Sequence, residues 1–177
     1  MHDLLQQMGQ EIVVEESKKP ETRRNLWKYE DIRDVLTINS GTENIEGILL
    51  NMFEKNDLVI SSKAFKNMRN LRFLKICYYL PSEKEDFIHY PSHGGQVLLP
   101  RGLKCLTEKL RYLKWEKYPS TSLPQNFCPK NLVELRLSDS NLTELWDGDK
   151  KGIKCRVDLV EESGRRRNHD FVFHSVD

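Results

Sequence analysis

The sequence predicts an α/β chain in which a helical unit leads into a short stack of parallel strands. Two patterns carry that expectation. Up to about residue 40 apolar residues recur at helical spacing, and beyond it they recur in a six-residue phrase, apolar at its first, fourth and sixth positions. Composition agrees: 31% of the 177 residues are charged and 38% are apolar, a balance suited to an elongated chain whose units each bury one face.

Leu4, Leu5, Met8, Ile12 and Val13 predict an amphipathic helix over residues 3 to 16, which Pro20 cannot continue. Residues 17–24 are charged and read as a loop. Asn25-Leu26-Trp27 reads as a short extended anchor. A second helix follows, with Ile32, Val35 and Leu36 at i, i+3 and i+4 and Gly41 where a helix C-cap is expected. Helix, basic loop, aromatic anchor and helix together fit the back half of a winged-helix unit, over residues 1–44.

The phrase L-x-x-L-x-L then fits four times: Ile45, Ile48, Leu50; Leu71, Leu74, Ile76; Leu110, Leu113, Trp115; and Leu132, Leu135, Leu137. The start positions 45, 71, 110 and 132 lie 26, 39 and 22 residues apart. The first and last intervals match the roughly 20–29 residues of leucine-rich repeats. The 39-residue gap holds the polar stretch Pro81 to Gly95, read as a surface excursion, with Val97-Leu98-Leu99 as a partial strand. In each phrase the central pair of apolar residues lies on one face of a strand, and one such unit cannot bury that face alone, so units must stack into a short solenoid. Leu123 and Phe127 are expected to point inward on the descending side. Trp115 is read as core, filling the place leucine holds in the next unit, in preference to a binding hot spot. Ser140 stands where the template has Asn or Cys to hydrogen-bond the turning backbone. Repeats are thus expected over 45–148, followed by a divergent, poorly ordered tail over 149–177.

Charge and motifs narrow the chemistry. The net charge is +1, giving no global pull toward nucleic acid or membrane. The longest apolar run is far shorter than the roughly 20 residues a membrane helix needs, and no signal-peptide pattern opens the chain. Cys77, Cys105, Cys128 and Cys155 are scattered and read as reduced thiols of a cytoplasmic protein, with a nuclear location as the alternative; Cys77 and Cys105 are read as core. Lys18, Lys19, Arg23 and Arg24 could contact DNA phosphates, but Glu15, Glu16 and Glu21 dilute the patch. His89 and His93 are separated by Pro91, so no helix presents both to zinc; Cys155, His169 and His174 form no tight constellation with them. No G-x-S-x-G and no G-x-x-x-x-G-K-[ST] occurs. We therefore expect neither an enzyme nor a metal, nucleic-acid or membrane binder. Arg111, Lys114 and Arg136 are expected on the exposed strand face, the surface that repeat proteins use to bind.

Several phrases carry a resemblance. The chain opens MHDLLQQMGQEIV and continues RRNLWKYEDIRDVLTINSGTENIEGILL, SSKAFKNMRNLRFLKI, LRYLKWEKYPSTSLPQNF and LVELRLSDSNLTELWDG. In this order it resembles the plant TIR-type nucleotide-binding leucine-rich-repeat disease-resistance receptors, from the MHD motif of the winged-helix subdomain into the first repeats, over roughly residues 1–148. In that family the MHD histidine contacts the phosphates of bound ADP. The resemblance therefore implies nucleotide sensing for His2, with Asp3 positioning the loop, though ADP or ATP is expected only in a full-length receptor and no cofactor in this chain. Residues 152–160 also resemble a K-x-C-G-V-x-L-V phrase that follows the repeats in some members, with Arg156 in place of the glycine. The implied function is that of a non-catalytic receptor fragment acting through protein contacts, with other receptor domains or pathogen effectors as partners. The alternatives are a free-standing repeat module and a gene-fragment product without function.

Overall fold

A computed structural model describes residues 19–78, 94–128 and 130–145, together with the backbone of two further strands at 156–160 and 170–174. The helix expected over residues 3–16 lies outside the described residues. The elements are β1 (Asn25–Leu26), α1 (Tyr29–Ile38), β2 (Gly47–Asn51), β3 (Leu58–Val59), β4 (Phe73–Cys77), β5 (Val97–Leu98), β6 (Tyr112–Trp115), β7 (Glu134–Arg136), β8 (Arg156–Val160) and β9 (Asp170–His174), with a 3-10 turn at Pro20–Thr22. The fold is α/β, with a mostly parallel sheet and few helices.

The main sheet has seven strands in the order β1-β2-β4-β6-β7-β9-β8. Its first five run parallel and follow the order of the chain, so each unit of sequence lays one strand beside the last. The register aligns Ile48, Leu74, Leu113 and Leu135 in one row, and Leu50, Ile76 and Trp115 in the next row but one. Strand side chains alternate between faces, so these rows share the inner face. All twelve apolar positions of the four phrases are buried there.

The descending side closes the core. β3 and β5 pair in a small parallel sheet, which makes a strand of the Val97-Leu98 segment. Phe65, Met68, Tyr118, Leu123 and Phe127 pack inward from this side. Trp115 is enclosed as expected, meeting Phe65 edge-on at 6.3 Å and Tyr118 at 5.0 Å. Its Nε1 has no hydrogen-bond partner. Cys77 is buried, whereas Cys105, expected in the core, is only half-buried. Gly95 lets the chain return tightly after residues 79–93: a Cβ there would lie 2.1 Å from the Asp57 nitrogen.

The helix α1 forms where expected and buries Ile32, Val35 and Leu36, with Glu30 and Asp31 in its first turn, where the helix dipole favours anions. Its cap differs from expectation. Asn39 adopts the left-handed conformation (φ 57°) and donates its N–H to Val35, so the helix ends two residues before Gly41. Gly41 serves packing instead, because a Cβ there would meet the Met68 side chain.

Across residue 44, β1 pairs with β2, and Leu26 and the α1 residues share one core with the later units. Beyond residue 148 two strands are described, β8 and β9. These run antiparallel to each other, and β9 pairs antiparallel with β7, so they extend the sheet without adding another repeat. Ser140 makes no bond to the turning backbone, for its buried Oγ has no partner.

Two predictions follow from the turns. Ser140→Ala removes an unsatisfied buried hydroxyl, so its urea-unfolding midpoint should match or exceed that of the native chain, whereas loss of a working turn hydrogen bond would lower stability by about 0.5–1.5 kcal/mol. Tyr118 stands at the equivalent place one unit earlier and donates its hydroxyl to the Ser122 carbonyl at 3.2 Å. Burial pushes its phenol up from 10.0 to about 12, against a smaller lowering by a Ser120 hydrogen bond. Its folded pKa lies above the unfolded one, so the stability it contributes is intact below about pH 10 and is lost as pH rises from 10 toward 12. Tyr118→Phe should flatten that part of the stability–pH curve, measured by urea titration at stepped pH.

Candidate protein-interaction face

The outer face of the sheet is set by the same register that builds the core. One row runs Asn25, Gly47, Phe73, Tyr112, Glu134, and the next runs Leu49, Lys75, Lys114, Arg136. Gly47 leaves room for the exposed Asn25 side chain, whose Oδ1 would lie 2.4 Å from a Cβ there. Beside it the Phe73 and Tyr112 rings stack with centroids 4.7 Å apart and planes 7° apart. Phe73 remains 38% exposed.

The basic row becomes progressively more open along the sheet. Lys75 is 6% exposed, the Lys114 side chain 12% and the Arg136 side chain 51%. Lys114 Nζ lies 3.2 Å from Glu116 Oε1, and Arg136 Nε lies 2.5 Å from Glu134 Oε1. These are pairs two residues apart on one strand face, where alternation puts side chains together. Glu116 also accepts the Tyr78 backbone N–H at 3.0 Å, which ties the end of β4 to β6. Burial pushes the Tyr78 phenol up, opposed by a hydrogen bond from the Val97 amide. Lys117 Nζ sits 4.6 Å above the Tyr78 ring, a favourable cation–π placement.

Of the three residues expected on this face, the structure brings Lys114 and Arg136 into adjacent register, but only Arg136 is exposed. Lys114 is drawn in by its partners. Arg111 is exposed and precedes β6, at the rim where the strands begin, beside Arg72, Lys109 and Asn131. His2 and Asp3 lie outside the described residues. The aromatic pair was not singled out from the sequence. Its signal was present, because Phe73 and Tyr112 occupy the same place in two successive phrases, the second variable position of L-x-x-L-x-L.

Of the four cations considered for DNA contact, Lys18 lies outside the described residues and the two arginines are ion-paired within the protein. Arg23 Nη1 lies 2.6 Å from Asp31 on α1, and Arg24 Nη2 lies 2.9 Å from Glu46. Among the described residues no group of three or more His, Cys, Asp or Glu side chains could hold a metal ion, and no helix is long and apolar enough to cross a membrane. His89, His93, Cys155 and His169 lie outside the described residues. Burial pushes the Cys105 thiol up, against the lowering effect of Lys66 and Lys63, which disfavours the reactive thiolate.

A family profile described as Leucine Rich Repeat matches residues 131–150, the unit whose apolar positions are Leu132, Leu135 and Leu137. That unit is therefore similar to a leucine-rich repeat. Three relatives among curated proteins are from Arabidopsis thaliana. It is 42% identical over 148 residues to disease resistance protein RPS6, covering 84% of this chain and 12% of the relative. It is 45% identical over 156 residues to disease resistance protein RPP2A, covering 85% and 11%. It is 37% identical over 189 residues to disease resistance-like protein DSC1, covering 94% and 14%. By these matches the chain belongs to the plant TIR-type nucleotide-binding leucine-rich-repeat disease-resistance family, and it spans about an eighth of the length of the relatives it matches. No solved structure matches it significantly.

The stacked rings give a direct test of the face. In a double-mutant cycle, Phe73→Ala and Tyr112→Ala should couple by about 0.5–1.5 kcal/mol in unfolding free energy. Additive losses would mean that the two rings do not hold each other.

Proposed function

We propose that this chain is a non-catalytic recognition segment of an intracellular plant immune receptor, acting through protein contacts of its outer sheet face. The carrying observation is the unbroken parallel register from β1 to β7, which presents Phe73, Tyr112 and Arg136 on one surface. Tyr and Arg are frequent in binding hot spots, and a ring held by its neighbour loses less freedom on binding.

In this reading the strand-bearing units are successive coils of a leucine-rich-repeat solenoid. Residues 1–44 are the joint through which a winged-helix subdomain meets it. Residues 25–38 share the sheet and core with the coils, so a displacement of the winged helix would be felt directly at β2. Nucleotide contact by His2 and Asp3 belongs to the full-length protein, where the remaining phosphate-binding groups would be supplied. The partners are other receptor domains, on which early repeats fold back to hold the receptor off, or pathogen effectors. The same contact made in trans would let this chain inhibit a full-length relative.

The test is co-precipitation of the tagged chain with a full-length relative at mild salt, compared with Tyr112→Ala and Arg136→Glu. We expect association with the native chain and at least about tenfold less recovery with either variant, the loss typical of a hot-spot truncation. Absence of association, or equal recovery of all three, would overturn the proposal.

A further inference from the structure

The rim at the start of the strands carries charge that the proposed protein-contact face does not use. Residues 63–72 hold four cations and no anion, and residues 101–111 hold four cations and one anion, Glu108. All eight cations are exposed. The two segments run side by side: the Lys104 amide donates to the Ser62 carbonyl at 2.9 Å, the Thr107 hydroxyl to the Arg69 carbonyl at 2.9 Å, and the Arg111 amide to the Arg72 carbonyl at 2.8 Å. A chain of net charge +1 thus concentrates a strong positive field on one strip.

Within that strip is a shallow depression of about 290 Å³ lined by Arg72, Lys109, Arg111 and Asn131. Its cations are held in place. Lys109 Nζ donates to Asn70 Oδ1 at 2.7 Å, and Asn131 Nδ2 donates to the Glu108 carbonyl at 2.8 Å. Arg72 lies 3.9 Å from Glu46 Oε2, but Glu46 is already claimed by Arg24 at 2.9 Å. Arg111 has no ion-pair partner among the described residues. Arg72 and Arg111 come from successive units, one sheet step apart, or about 4.8 Å.

We infer that this depression binds a multiply charged phosphate ester, as a soluble polyphosphorylated molecule or a phosphorylated lipid headgroup. Two guanidinium groups and one ammonium converge on it, more charge than a single side-chain carboxylate can neutralise, and guanidinium forks match phosphate oxygens. Neither segment exposes an aromatic side chain of its own, and the Phe73 ring beside Arg72 is already stacked on Tyr112, so bases of a single-stranded nucleic acid would find little to stack on. Neither exposes a large apolar side chain, so a lipid would be held by its headgroup alone.

The full chain would be titrated with inorganic tripolyphosphate by calorimetry. It would also be sedimented with phosphatidylcholine vesicles containing phosphatidylinositol 4-phosphate or, separately, phosphatidylserine, and titrated with random-sequence duplex DNA. One variant is Arg72→Gln with Arg111→Gln. The control, Lys63→Gln with Lys104→Gln, removes equal charge elsewhere on the strip. Tripolyphosphate binding that falls at least about tenfold in the first variant and stays within about twofold in the control supports the site with a soluble ligand. The same ranking seen only on phosphoinositide vesicles supports the lipid source. No binding, equal weakening in both variants, or comparable binding to phosphatidylserine and DNA would overturn it. Should the double variant lose its far-ultraviolet circular dichroism, the single Arg111→Gln, at an exposed residue without an ion pair, makes the same comparison.

Discussion

Four carbonyls hold the units in register: those of Arg24, Glu46, Arg72 and Arg111. Each accepts two consecutive backbone N–H groups from the next unit, at Glu46 and Gly47, Arg72 and Phe73, Arg111 and Tyr112, and Val133 and Glu134. Because strand faces alternate, a slip of one residue would turn the row Ile48, Leu74, Leu113, Leu135 outward and drive Lys75, Lys114 and Arg136 inward. Burying those charges against leucines would cost far more than the hydrogen bonds themselves contribute. The repeated acceptor therefore sets core and outer face together. That is why α1 matters: through β1, it anchors the first of these acceptors to the sheet.

The same device explains how units of 26, 39 and 22 residues coexist. Only the strand and its approach must superpose from unit to unit. Extra chain is taken up between β4 and β6, where Gly95 brings the backbone against Asp57. The descending side tolerates this because its pairing is short, two residues each in β3 and β5, and the closure entropy of a longer loop grows only slowly with length. At the far side of the sheet, β7 would present an open parallel edge if nothing paired with it. Its pairing with β9 satisfies those backbone groups with an antiparallel partner, which needs no crossover to reach the edge.

What could be read from the sequence follows from which features repeat. The four apolar phrases were legible because stacking demands the same residues at the same places, and Leu123, Phe127 and Trp115 were legible because each had to fill that inner layer. The extended segment and helix of residues 25–38 were legible too, but not their place beside β2, since a two-residue strand carries no periodicity and the helix that follows obeys the same rule in any fold. The helix end was misplaced at Gly41 because Asn39 tolerates the left-handed cap nearly as well as glycine. Phe171-Val172-Phe173 is an apolar run, but an antiparallel pairing with a strand about 35 residues earlier leaves no local signal in the sequence. On the face, charge alone suggested exposure for Lys114. Its actual burial depends on Glu116, whose role becomes visible only once the register sets both on one side of β6.

The distribution of ion pairs separates the two surfaces physically. On the outer face Lys114 and Arg136 are each matched by a glutamate of their own strand, so that face is close to neutral and carries an exposed aromatic stack. A partner covering those pairs would have to dehydrate them, which returns little net energy. Affinity there would rest on Phe73 and Tyr112, with the charges setting orientation. On the rim the cations far outnumber the acids, and their field reaches about one Debye length into solution, about 8 Å at physiological salt. Contact on the face should therefore be governed by shape and resist added salt, whereas contact at the rim should be governed by charge and yield to it. Since Arg72 immediately precedes Phe73, and Arg111 immediately precedes Tyr112, the two surfaces meet along a single line of backbone. A ligand seated between the two arginines would lie against the residues that hold the stacked rings.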